Sequence, residues 1–191
     1  MKQTTHDQST VAPGLETMKL RLDADQLNIF FPLLQKGVKV QVTAGCTLKS
    51  LLCDQFAIPA DYVTDRITTI FFNNHPVDDL DLAIVQDGSQ IALSAAMPGL
   101  VGATMRRGGF YAALRQGISH AADSGTAAGE CGTVRVKLFN LLLTELGPLV
   151  LARGLILEQG ELNDLLQHIP GRPEDLTSGT NRLLLTVFFS E

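Results

Sequence analysis

Four short blocks of sequence occur twice along this 191-residue chain, in the same order. The pairs are MKLRL at 18–22 with VRVKL at 134–138, and then 32–37 with 148–154, 47–52 with 161–166, and 65–72 with 181–189. Small α+β units share such patterns in general, which is the alternative explanation. Because all four blocks agree in order, we interpret them as an internal repeat.

Each copy has the pattern of a small α+β unit. Apolar and polar residues alternate at 17–22 and 38–42, which predicts two strands, and Gly37 between them predicts a hairpin with a long loop. Thr47 is a good N-cap for a helix that ends before Ile58-Pro59. Strands are predicted at 66–72 and 90–94, after turns at 73–76 and Asp87-Gly88. This order predicts an α+β roll.

The repeat and the loop composition predict four regions. These are a mobile N-terminal arm at 1–16, a first unit at 17–102, a Gly-Gly turn with a short helix and linker at 103–132, and a partial second unit at 133–191. The short helix is predicted from the spacing of Phe110, Leu114 and Ile118. The second unit has no counterpart of residues 87–94, so its sheet has an unpaired edge. The first unit's sheet, the N-terminal arm or a partner chain could fill it, and the last case predicts a homo-oligomer.

Composition excludes several classes of protein. The chain is 45% hydrophobic and carries 15 basic against 20 acidic residues, so we predict a globular protein that binds no nucleic acid. No apolar run approaches the length of a membrane span, and no signal peptide is visible, so we predict a cytoplasmic protein without membrane attachment. No pairing of acid, base and nucleophile stands out. We therefore predict that the protein is not an enzyme, with no catalytic residue, cofactor or metal.

Three motifs together resemble a known family. They are GCTLKSLL at 45–52, IFFNNHPVDD at 70–79 and DGSQIAL at 87–93. In this order they resemble the MoaD/ThiS family of small β-grasp (ubiquitin-like) sulfur carriers, and VRVKLF at 134–139 resembles that family's first strand. The resemblance implies an α+β fold with two β-grasp units, the second lacking its last strand.

The resemblance also implies sulfur carriage, as in molybdopterin biosynthesis. In that family the chain ends in Gly-Gly, and an E1-like adenylyltransferase activates the terminal carboxylate, which becomes a thiocarboxylate for a sulfur-accepting enzyme. The place of the partner-docking tail is taken here by Met97, Pro98, Gly99, Leu100 and Val101. The resemblance makes Gly102, Gly108 and Gly109 the thiocarboxylate candidates. None of them is terminal, because Phe110 continues the chain.

Two interpretations of Arg106-Arg107-Gly108-Gly109 stay open. A protease cuts after Gly109 and releases a competent carrier, or the glycines form a turn between units and the arginines are solvated. Glycine pairs are common in turns, which favours the second interpretation.

A nearby acidic turn has two interpretations as well. His75 beside Asp78, Asp79 and Asp81 could bind a cation, but a solvated turn is the simpler explanation.

The sequence therefore predicts a sulfur-carrier-like protein that needs proteolytic exposure of a C-terminal glycine. The alternative is a non-catalytic β-grasp module for protein interaction or oligomerisation.

Overall fold

The computed structural model describes residues 15–115, 117–120, 129–169 and 181–190. These residues form an α+β fold in which all strands belong to one open, mixed sheet. The strands are β1 (Glu16–Asp23), β2 (Val38–Thr43), β3 (Thr69–Phe72), β4 (His75–Pro76), β5 (Gln90–Ser94), β6 (Cys131–Phe139), β7 (Leu155–Glu158) and β8 (Arg182–Ser190). Their order across the sheet is β1-β8-β7-β2-β6-β5-β3-β4. The predicted arm, up to residue 14, and residues 121–128 of the predicted linker lie outside the described residues.

Helices connect the strands. They are α1 (Phe31–Lys36), α2 (Leu48–Ser50), α3 (Ala60–Asp65), α4 (Gly99–Met105), α5 (Leu142–Arg153) and α6 (Gln159–Leu166), with 3-10 helices at Ala24–Phe30 and Phe110–Arg115 and a π-helical turn at Leu51–Gln55. Within the described ranges, no helix is both long and apolar enough to cross a membrane.

Two glycines give the repeated blocks the same local geometry. Helix α1 ends at Gly37, with φ 107° and ψ 127°, and α5 ends at Gly154, with φ 100° and ψ 128°. A side chain is strained at such a positive φ, so glycine is required at both positions. Each glycine leads directly into a strand, β2 or β7. In each half the chain continues with a helix and then another strand, which is the order that the repeat predicts.

The predicted hairpin between the first two strands is wrong. Strand β1 pairs in parallel with β8, whereas β2 pairs antiparallel with β6 on one side and β7 on the other. Blocks 18–22 and 134–138 have the same alternation, so local pattern does not decide which of them lies beside β2. Strand β6 supplies Val134 and Val136, each 1% exposed, and β-branched side chains suit the centre of a sheet. The division of the chain into two units stays a prediction.

Other local predictions are confirmed. The Thr47 hydroxyl accepts a hydrogen bond from the Ser50 amide at 3.1 Å, as expected of an N-cap. Strand β5 has the predicted bounds. The strand predicted at 66–72 begins only at Thr69, because α3 occupies the preceding residues and Arg66 is its C-cap.

One hydrogen-bonded cluster links α3 to α5. The Glu145 carboxylate accepts hydrogen bonds from the Tyr62 hydroxyl and from Arg66, whose Nε lies 3.0 Å from Glu145 Oε2. These bonds lower the pKa of Glu145 to about 2. The pKa of Tyr62 is raised to about 12, first by burial and then by the neighbouring carboxylate. The cluster thus ties a helix from each half of the chain together.

Candidate interaction site

The chain does not leave the sheet as a free tail after β5. Residues 95–115 and 117–120, called the tail segment below, form α4 and the 3-10 helix Phe110–Arg115 and fold back against the β3–β4 edge. Its first two residues are held by hydrogen bonds. The Thr68 hydroxyl donates to the carbonyl of Ala95 at 2.7 Å, and the Asn140 side-chain amide donates to the carbonyl of Ala96. The place of the family's docking tail is therefore an anchored, folded segment.

Gly102, the first thiocarboxylate candidate, is buried within α4. A Cβ at this position would lie 1.8 Å from the carbonyl oxygen of Met97, so only glycine allows the helix to pack this closely. The Gly102 amide donates to the carbonyl of Pro98 at 3.3 Å. Close packing accounts for glycine here without any need for a flexible chain end.

The predicted docking residues lie at the start of the same helix. Pro98, Gly99, Leu100 and Val101 are exposed and Met97 is half-buried. Pro98 is the N-cap residue of α4, so these side chains are held on a helical turn.

The Gly-Gly motif forms a turn that is bound on one side. The Gly108 amide donates to Asp78 Oδ1 at 3.1 Å, and Gly108 itself has φ +60°. The prediction that both arginines are solvated is correct for Arg106 and wrong for Arg107. Arg106 is exposed, but Arg107 is half-buried and donates to the carbonyl of Val63 at 2.6 Å. Burial lowers the pKa of Arg107, and the charge of Asp78 opposes this shift.

Arg115 fixes the far end of the tail segment. It is 3% exposed, and its guanidinium donates to three groups on different parts of the chain. They are the carbonyl of Thr104 at 2.7 Å, Ser119 Oγ at 2.9 Å and Asp78 Oδ1 at 2.7 Å. Asp78 Oδ1 therefore accepts from both Gly108 and Arg115. A buried guanidinium is stable only with such partners, so this arrangement holds α4 and the 3-10 helix against the turn after β4.

The last residues of the tail segment cover strand β4. The His120 amide donates to the carbonyl of Pro76 at 3.0 Å, and its ring packs edge-on against Phe72 with centroids 5.1 Å apart. Nδ1 of His75 lies 3.1 Å from the carbonyl oxygen of Ile118. Both histidines are thus part of the contact between the tail segment and the sheet.

Two carboxylates of the acidic turn near His75 form ion pairs with basic side chains of the same chain. Asp81 forms an ion pair with Lys49 at 3.1 Å, and Asp78 pairs with Arg115. Among the described residues, no group of three or more histidine, cysteine, aspartate or glutamate side chains is placed to hold a metal ion.

Apolar side chains of the tail segment face solvent. The exposed fractions are 71% for Leu100, 61% for Val101, 92% for Phe110, 44% for Tyr111, 74% for Leu114 and 51% for Ile118. We call these six side chains the apolar surface. The rings of Phe110 and Tyr111 pack edge-to-face at 5.2 Å. The spacing of Phe110, Leu114 and Ile118 predicts a helix, and a 3-10 helix begins at Phe110, but its apolar side chains point outward rather than into the core.

Two concave regions lie outside the apolar surface. One, of about 460 Å³, lies beside the acidic turn and includes Cys53, Lys49 and Arg107. The other, of about 530 Å³, lies between Pro32 and Leu165 and has Lys36 and Glu161 at its rim. Neither brings together an acid, a base and a nucleophile in hydrogen-bonding contact.

The ion pair between Arg115 and Asp78 is a feature of the site that sequence reasoning missed, although Asp78 was considered as part of the acidic turn. No local pattern around Arg115 indicates that it is buried or that its partner is 37 residues away. The three thiocarboxylate candidates, Gly102, Gly108 and Gly109, lie in the tail segment and precede Phe110, so none of them is at a chain end.

Comparison with known proteins adds no relative. No family model matches the chain, and neither a curated protein nor a solved structure matches it at a significant level.

Proposed function

We propose that the chain is a non-catalytic β-grasp module that associates with a second copy of itself through the apolar surface of the tail segment. One observation carries this proposal. A buried Arg115 and a close-packed Gly102 hold the tail segment in place, yet its largest apolar side chains face solvent. A fixed segment that exposes such side chains has the character of an interface.

The size of the apolar surface fits a dimer. Taking roughly 180–200 Å² for a fully exposed large side chain, the exposed fractions of the six residues amount to roughly 700–800 Å². A standard interface buries about 800 Å² on each partner. Burial of all six side chains together would therefore come close to that area.

The absence of charge on the six side chains favours a second copy as their occupant. The buried Arg115 is paired with Asp78, and Arg107 is directed into its own chain, where it donates to the carbonyl of Val63. A two-fold axis places the same apolar side chains of two copies against each other. Each chain carries a formal charge of −5, so added salt strengthens the association by screening the repulsion between copies.

The β-grasp part of the proposal rests on which strands lie beside each other. Strand β6 lies where the first strand of the first copy is expected, beside β2, and the block at 134–138 is the repeat partner of the block at 18–22. Strand β1 in turn lies beside β8 in the second half. We propose that β6 takes the place beside β2 that the first strand of the first copy would occupy, while β1 joins the second half through β8.

Sulfur carriage after cleavage is the second candidate function. The observation in its favour is the position of the bond after Gly109. Phe110 is 92% exposed, and Gly108 has no neighbour within 4 Å of a Cβ built on it. A protease that cuts there leaves a glycine carboxylate, which an E1-like adenylyltransferase could activate.

Sedimentation velocity tests whether the chain associates with a second copy of itself. We expect the full chain to form a concentration-dependent dimer and Phe110→Asp/Leu114→Asp to be monomeric at the same concentrations. Leu82→Asp/Leu141→Asp is a matched control, because it adds the same charges at exposed leucines outside the tail segment. A full chain that is monomeric up to its solubility limit contradicts the proposal.

Intact mass and an adenylation assay test whether the chain is cleaved and then acts as a sulfur carrier. Mass is measured on the protein from its native host. Adenylation is measured on the full chain cut after Gly109 with both pieces kept together, because β6 lies between β2 and β5 and must be retained. A native form cut after Gly109 that becomes adenylated supports sulfur carriage, whereas a full-length native mass together with no adenylate on the cut chain contradicts it.

A further inference from the structure

The two edges of the sheet differ in how they are protected. Strand β4 has only two residues. One of them, Pro76, has no N–H, and the Pro76 carbonyl already accepts a hydrogen bond from the His120 amide. Strand β1 is eight residues long and contains no proline. Its neighbour is β8, and within the described part of the chain no other strand lies on its outer side. A long edge without proline is a template for pairing.

We propose that the outer edge of β1 binds an extended peptide segment of a partner protein, in which acidic residues alternate with apolar ones. This site is independent of the apolar surface, which lies in the tail segment. The peptide adds a ninth strand to the sheet through main-chain hydrogen bonds, and its side chains provide specificity.

The two faces of β1 determine the sequence of the peptide. On the core face, Met18 and Leu20 are only half-buried, so an apolar side chain of an added strand covers what they leave exposed. On the other face, Lys19 and Arg21 are exposed and form no ion pair with a described residue. Opposite charges on neighbouring strands attract, so acidic side chains fit opposite these two.

A second copy of β1 fits this edge poorly. Two copies related by a two-fold axis pair antiparallel, and residues on the same face lie opposite each other. Pairing residues 16–22 places Lys19 opposite Lys19, and pairing residues 17–23 places Lys19 opposite Arg21. Both of the longest registers thus bring like charges together, which destabilises the pair. The basic face favours an acidic partner over self-pairing.

Fluorescence anisotropy with three labelled peptides tests the site. The first, as long as β1, alternates glutamate and valine; the second has the same composition in two blocks; the third alternates lysine and valine. We expect the full chain to bind the first peptide at least about tenfold more tightly than the other two. Equal binding of the alternating and block peptides means plain charge attraction and overturns the proposal, as does no binding of the first peptide.

A charge swap on the protein is the reciprocal test. Lys19→Glu/Arg21→Glu is expected to lose at least about tenfold in affinity for the glutamate–valine peptide and to gain affinity for the lysine–valine peptide. The control Lys36→Glu/Arg106→Glu makes the same change in net charge away from β1 and is expected to keep the original preference. If both variants behave alike, the site is not at β1.

Hydrogen exchange tests whether the chain's own residues already cover the outer edge of β1. In the free full chain, the β1 amides that point away from β8 are expected to exchange fast and to become protected when the glutamate–valine peptide binds. Protection of those amides before any peptide is added shows that the chain itself covers the edge, and this overturns the proposal.

Discussion

Arg115 Nη2 lies 2.7 Å from Asp78 Oδ1, and this ion pair joins the tail segment to the turn that follows β4. The arginine is buried, whereas the side chain of Asp78 is 43% exposed. The pair therefore helps to hold the tail segment against the sheet, whereas a carrier needs a free tail.

Replacing Arg115 with methionine is expected to destabilise the protein by about 2–3 kcal/mol. The change removes three charge-assisted hydrogen bonds, while Asp78 regains water because it is partly exposed. Chemical unfolding measures the loss, and hydrogen exchange localises it to the tail segment. Arg106→Met is the control, since Arg106 is exposed. Equal stability of the two variants would show that the ion pair does not anchor the segment.

Alanine at Gly102 is expected to cost more stability than alanine at Gly108. A Cβ at Gly102 meets the Met97 carbonyl at 1.8 Å, so α4 must move. At Gly108 a Cβ has open space, and only the positive φ is strained, which costs about 1 kcal/mol. Thermal unfolding of both variants tests this. The reverse order would mean that Gly102 is not close-packed.

Acid should weaken the link between α3 and α5. The folded-state pKa of Glu145 is about 2, below its ordinary value of 4.5, because Arg66 and Tyr62 donate to the carboxylate. A lowered pKa means that this stabilisation is fully present above pH 4.5 and disappears as the pH falls from 4.5 to 2. Glu145→Gln should therefore flatten the dependence of unfolding free energy on pH in this window. An unchanged slope in the variant would argue against the cluster.

Engineered cysteines test the position of β6 beside β2. Gln41 lies opposite Thr133 in the β2–β6 pair. We expect Gln41→Cys/Thr133→Cys to form a disulfide on oxidation, in a background where the three native cysteines are serine. Gln41→Cys/Thr17→Cys should stay reduced, because Thr17 is the residue that the repeat aligns with Thr133 and that the predicted hairpin would bring opposite Gln41. A disulfide in the second variant alone would restore that hairpin.

Local features of the fold could be predicted from the sequence, but the pairing of distant strands could not. The Thr47 cap and the bounds of β5 follow from residue types within a few positions. Which of two similar blocks lies beside β2 depends on packing between segments about 100 residues apart in sequence. Local alternation carries no information about such packing.

The orientation of the tail segment could not be predicted for a similar reason. The spacing of Phe110, Leu114 and Ile118 predicts a helix, but whether its apolar side faces the core or solvent depends on what else packs nearby. The burial of Arg115 depends on Asp78, Thr104 and Ser119 meeting in space, and only the fold brings them together.

Hydrogen exchange of residues 99–115 at low and high protein concentration is the most direct test of the central claim that the folded tail segment is an interface between copies. We predict that amides of α4 and of Phe110–Arg115 are protected in the dilute protein and gain further protection at high concentration. Fast exchange at both concentrations would instead describe a free tail, and would contradict both the anchoring by Arg115 and the proposed dimer.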